Sequence, residues 1–140
     1  MMAYDEKTLN RIFERTRGQC HICGKQLSWR NYNQPGRRGA WEVEHSVPLV
    51  KGGSDHGNNL FPAHIKCNRE KGTHTSKTAR SWHGRTRAPL SKARREKAKA
   101  ANAIALGIIG GVLGAVAGPP GALVGASLGA AMGASLDPEK

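Results

Sequence analysis

Apolar residues in the first half of the chain recur at two different spacings, and each spacing predicts an element. Leu9, Ile12 and Phe13 fall at i, i+3 and i+4 within Tyr4 to Arg17, with Asp5 and Glu6 at the start and Gly18 just past the end. The spacing predicts a short helix with one apolar face, acids in its first turn and a glycine where it stops. From Ala40 to Leu49 apolar and polar residues alternate through Trp41, Val43 and Val47. That is the pattern of a half-buried strand, which Pro48 bends or confines to a sheet edge. Arg30 to Gly39 reads as a loop from its Asn, Pro and Gly content, and Lys51-Gly52-Gly53-Ser54 as a turn. Asn59 to His64 starts either a return strand or the next helix, and Ile65 to Lys71 reads as helix.

The second half changes character twice. Thr73 to Leu90 is basic, has Trp82 and His83 in its middle, and shows little apolar periodicity. It reads as a flexible basic linker or as a loop closing over a polyanion. Ser91 to Ala101, rich in Ala, Lys and Arg, predicts a strong helix. Ala103 to Leu136 has no charged residue, and Gly118-Pro119-Pro120-Gly121 divides it into two arms. Gly110, Gly114 and Gly118 recur every fourth residue, as do Gly121, Gly125, Gly129 and Gly133. Such a glycine zipper lets helix backbones approach closely in lipid. Each arm would be about 22 Å long as a helix, against about 30 Å for a bilayer core. The expectation is therefore a helical hairpin that enters a membrane partly or oligomerises, with a water-soluble Ala/Gly tail as the plainer alternative.

Length and charge narrow the picture. At 140 residues one domain with a tail is expected, and a net charge of +12 with a pI near 10.3 suits a chain that meets nucleic acid or an anionic membrane face. The basic run Lys92 to Lys99 just before the glycine-rich arms would favour the cytoplasmic leaflet, placing residues 92–136 against an anionic surface. The first 20 residues contain no apolar stretch, so no signal peptide is expected and the localisation expected is cytoplasmic, with attachment to the inner face of a membrane as an extension. Three cysteines, two of them in a C-x-x-C, argue for metal binding in a reducing compartment rather than for a disulfide framework. A redox pair would want a βαβ context, which is missing.

Four residues then form a metal-ligand set. Cys20, Cys23, His64 and Cys67 give C-x2-C and H-x2-C, two pairs with the spacing that a closed tetrahedral zinc site needs. A second constellation surrounds the strand end. His45 has the proton affinity of a general base near neutral pH, Glu44 offers an oxygen to a hard cation, Asn59 can brace a loop, and Asn68 can lend a neutral oxygen to a metal. Glu44 and His45 are adjacent, so a regular strand would point them to opposite faces unless a bulge or bend intervenes.

The stretches GQCHICG at 18–24, VEHSVPLVKGGSDHGNNL at 43–60 and HIKCNREKG at 64–72 resemble the HNH endonuclease family, the ββα-metal nucleases, in its zinc-containing branch. The resemblance implies a small α+β fold with a ββα-metal core stapled by a structural zinc, in a domain over residues 1–75; it covers less than half of the chain and does not account for Ala103 to Leu136. The composition and spacing read above add a basic linker and helix over 76–101, the Gly/Ala-rich glycine-zipper hairpin over 102–136 and a tail at 137–140. The resemblance casts His45 as the base that activates water, Asn59 as the residue holding the loop, and Glu44 with Asn68 as ligands of a catalytic Mg2+ or other divalent ion. The reaction implied is hydrolysis of phosphodiester bonds in double-stranded DNA, leaving 5′-phosphate and 3′-hydroxyl ends. Candidate phosphate contacts are Arg37, Arg38, Lys51, Lys66, Arg69, Lys71, Lys77, Arg80, Arg85 and Arg87. Glu44, His64 and Asn68 depart from the residues most usual at their positions, though each keeps ligand capacity. Two other classes of function stay open: a zinc-stapled nucleic-acid binder without catalysis, and a membrane-associated toxin or exclusion factor acting through the hairpin.

Overall fold

The computed structural model describes residues 3–116. Its elements are α1 (Glu6–Glu14), β1 (Trp41–His45), β2 (Leu60–His64), α2 (Ile65–Lys71), α3 (Ser76–Trp82) and α4 (Lys92–Val116), with single 3-10 turns at Trp29–Asn31, Leu49–Lys51 and Gly57–Asn59. The chain divides after Lys92 into two units, and all but α4 lie in the first. The architecture is a small α+β one, as the resemblance implies.

Helix α1 begins where the Asp5 carboxylate accepts the Thr8 N–H at 2.6 Å, and hydrogen bonds from the Thr8 side chain and that N–H hold the Asp5 carboxyl below its ordinary range. It ends with the Gly18 N–H returning to the Phe13 carbonyl, Gly18 standing at φ +70°. Its apolar face lays Leu9 and Ile12 into the core. The two strands form an antiparallel pair running from Trp41 opposite His64 to His45 opposite Leu60. Trp41 anchors the core, fully buried with the rings of Tyr32 at 4.8 Å and Phe13 at 5.0 Å.

A two-stranded hairpin is unstable alone and must be covered. The Cys20–Gly24 turn covers its outer edge: the His21 N–H bonds the Pro62 carbonyl at 2.9 Å, and Pro62 itself has no N–H to leave unpaired on β2. Helix α2 follows β2 directly and packs on the sheet. The Ser76 N–H then bonds the Ser46 carbonyl at 2.9 Å, pinning the start of α3 to the exit of β1.

Two expectations are revised. The basic segment over 73–90 is not structureless, because Thr75 caps α3 and Ser76 and Ala79 are fully buried. The helix expected over Ser91 to Ala101 continues to Val116, into the first glycine-rich arm. The Gly118–Gly121 break, the second arm and any pairing between arms lie outside the described residues. Among the described residues, no helix is long and apolar enough to cross a membrane.

Candidate functional site

The fold brings together the four donors that the sequence spacing singles out. Cys20 and Cys23 come from the turn after α1, His64 and Cys67 from the junction of β2 and α2, and their ligand atoms lie within 4.8 Å of one another. The Cys20 sulfur accepts the His64 N–H at 3.3 Å and the Cys23 N–H at 3.5 Å, as a thiolate at a metal would. Cys23 Sγ is 3.4 Å from His64 Nδ1. Packed so closely, the groups shift one another's proton affinities: hydrogen bonds from Cys20 and Cys67 pull the Cys23 thiol down, bonds with Cys20 and Cys23 push Cys67 up, and the same two sulfurs push His64 up to about 9. Three sulfurs and one imidazole nitrogen in a single cluster are a donor set able to hold a structural zinc. Gly24 closes the turn at φ +75°, and the Arg85 guanidinium fills the space that a side chain there would need.

His45 stands at the end of β1 on the rim of a cleft of about 290 Å3 whose lining includes Tyr4, Tyr32, Glu42, Leu49 and Asp55. Its Nε2 lies 2.7 Å from Asp55 Oδ1, both side chains being partly open to solvent. Asn59 builds the loop that makes this pairing. Its Oδ1 accepts the Val47 N–H at 2.8 Å, while its Nδ2 donates to the Val47 carbonyl and the Ser54 carbonyl, each at 2.9 Å. One amide thus ties the strand exit to the residue before Asp55. Gly53 is required in the same loop, since a Cβ there would strike the Val47 carbonyl. Arg15, its guanidinium 3.9 Å from the Phe61 ring centre, donates to the carbonyls of Gly57 and Leu60 and holds the loop from the α1 side.

Alternation along β1 sends Glu44 the other way. It is fully buried, with His21 Nδ1 at 2.5 Å, the Ser76 hydroxyl donating to its carboxylate at 2.7 Å, and the Lys71 ammonium at 3.6 Å. Burial holds His21 below its ordinary value despite the Glu44 bond, which would raise it. A neutral ring with its proton on Nδ1 fits both neighbours, since Nε2 then accepts from Arg80 Nη1 at 3.2 Å. The His21 ring also stacks on Phe61 at 3.7 Å. Lys71 donates to the carbonyls of His45 at 3.0 Å and His74 at 3.1 Å.

Of the expected cation pair, Glu44 lies in the buried network, and the Asn68 amide donates to Glu42 Oε1 at 2.8 Å. Three expected phosphate contacts are also placed elsewhere. Lys71 is buried, Arg80 turns inward onto His21, and Arg85 packs on Gly24. Arg37, Arg38, Lys51, Lys66, Arg69, Lys77 and Arg87 are exposed. The sequence reading misses Asp55, His21, Lys71 in its buried role, Ser76 and Arg15. Only Asp55 carries a local signal, a carboxylate inside the loop that His45 and Asn59 bound.

A hairpin and a helix share one zinc-capable corner, with a histidine on the hairpin rim. Residues 20–74 match the family described as HNH endonuclease, a stretch that spans the cysteine turn, both strands and α2. That part of the chain is similar to the HNH nucleases, which bind nucleic acid. No curated protein matches the chain.

Proposed function

We propose that the chain is a divalent-metal-dependent endonuclease that hydrolyses phosphodiester bonds in DNA, with His45 as the general base. The observation that carries this reading is the Asp55–His45 pair on the rim of an open cleft, built by Asn59 within the HNH-matching stretch. With its Nε2–H donating to Asp55, His45 presents Nδ1 to a water, takes its proton, and frees the hydroxide equivalent to attack phosphorus. The P–O3′ bond breaks, leaving a 5′-phosphate, and the 3′ oxygen is protonated from solvent. A divalent cation supplies charge stabilisation at the phosphate and the leaving oxygen when bound.

Plasmid nicking by the full-length protein tests the reading, with Mg2+ or Mn2+ added or withheld. His45→Ala should lower the nicking rate by about 10²–10⁴-fold, the usual contribution of a general base, and Asp55→Asn by a smaller factor. Cation-independent cleavage, or full activity in His45→Ala, would overturn it.

One observation favours a second reading. Glu44, the carboxylate next to the base, is committed to a buried ion pair, as it would be in a zinc-stapled nucleic-acid binder without catalysis. That protein would bind DNA with equal affinity before and after loss of His45 and would never nick it.

A further inference from the structure

Trp82 is the large aromatic side chain that the fold leaves outside its core. It ends α3 with about half of its surface exposed, whereas Trp41 is fully buried and Trp29 packs against the core cluster. At the end of a short helix, half of the indole is turned to water rather than to the core and is free to meet a ligand. It is also held in place: its ring meets that of His74 edge-on, with centroids 5.3 Å apart. His74 is fixed in turn, since Lys71 donates at once to the His74 carbonyl and to the His45 carbonyl. A single buried ammonium therefore ties the exposed aromatic pair to the backbone of the histidine on the cleft rim. The surroundings are cationic. No Asp or Glu occurs between Glu70 and Glu96, and Lys77 and Arg87 are exposed in that interval.

We infer that Trp82, seated on His74, is a stacking platform for an unpaired nucleotide base next to the phosphate that enters the His45 cleft. The inference rests on the proposed nuclease reading and names its substrate class: a strand with an accessible base, as in single-stranded or distorted DNA, in preference to regular duplex. Every base offers a π face, so stacking gives affinity without reading sequence, and the nearby cations hold the backbone. In intact duplex the base edges are turned inward and the platform has nothing to stack on.

The test uses the full-length His45→Ala protein without added divalent cation, so that binding is read apart from cleavage. Of the three tryptophans, Trp82 is the exposed one, and its fluorescence reports contact. Single-stranded oligothymidylate should quench the emission and bind more tightly than a blunt duplex. Trp82→Leu should abolish the quench and weaken binding to a labelled single strand by about five- to a hundred-fold, with Trp82→Phe keeping most of the affinity. Equal affinity of Trp82→Leu and its parent for the single strand would overturn the inference. So would an emission shift with phosphatidylglycerol vesicles and none with oligonucleotide, which would assign Trp82 to a membrane surface. Loss of nicking in the wild-type protein would instead defeat the nuclease reading and leave this binding result to stand by itself.

Discussion

Lys71 brings an ammonium to a site that is 2 % exposed, and three acceptors meet it there: the Glu44 carboxylate and the carbonyls of His45 and His74. A charge so placed is tolerated only while it is paired. Glu44 is likewise tolerated only with Lys71, Ser76 and His21 around it. Glu44→Gln removes the countercharge but little volume, so it isolates the electrostatic part. The expected loss is about 3–5 kcal/mol of folding stability, read as a fall in the urea midpoint at unchanged slope. A midpoint within error of wild type would show that Glu44 is not structural, and its role as a cation ligand would return to the fore. The same network explains why Glu44 and His45, neighbours in sequence, take different roles. One faces the packed side of β1 and the other the cleft.

At the scale of elements, α3 is more than a linker to the tail. Ser76 bonds Glu44, Ala79 is fully buried, and Arg80 reaches the ring and carbonyl of His21. A chain ended after residue 75 would lose all three contacts and leave Glu44 and Lys71 partly bare. It should show no cooperative thermal transition, whereas a chain ended after Lys92 should unfold in a single step. Matching transitions for the two would show α3 to be dispensable. What was legible in the sequence follows a simple physical line. Helix α1 could be read because its apolar spacing, its leading acids and its closing glycine are local, β1 because its alternation is local, and the zinc-capable set because two fixed spacings name their ligands. The helix at α2 was read to its observed ends. The buried network was not legible, because its partners lie far apart in sequence: His21 and Glu44 are separated by 23 residues, and Glu44 and Ser76 by 32. No local pattern marks a lysine or glutamate as buried. Helix α3 escaped for a related reason, since seven residues with one buried alanine show no period.

For the whole molecule the decisive question is what closes so small a core. Among the described residues, fully buried side chains of any size are few: Trp41, Ile12, Ile22 and Pro62 are the large apolar ones, and the polar Glu44, Thr16 and Ser76 share the interior with them. The Cys20–Cys23 turn and the His64–Cys67 corner lie far apart in the chain, and between them run the loop over 30–39, all of β1 and most of β2. A zinc ion at the four donors would fasten both ends of that excursion to one point, and structural zinc binding is itself folding free energy, on the order of 10–16 kcal/mol in small zinc modules. Without it, three thiols and an imidazole are left crowded within 4.8 Å of one another. Removing zinc with a strong chelator at neutral pH should therefore abolish the thermal transition and the near-ultraviolet dichroism of Trp41, and restoring zinc should recover both. Because the ligands must shed protons to bind, zinc uptake should release protons, measurable as a buffer-dependent heat of binding. Cys67→Ser should reproduce the chelated state even with zinc present. A purified protein that holds no zinc and melts identically with or without chelator would mean that the polar network around Glu44, not a metal, closes the core.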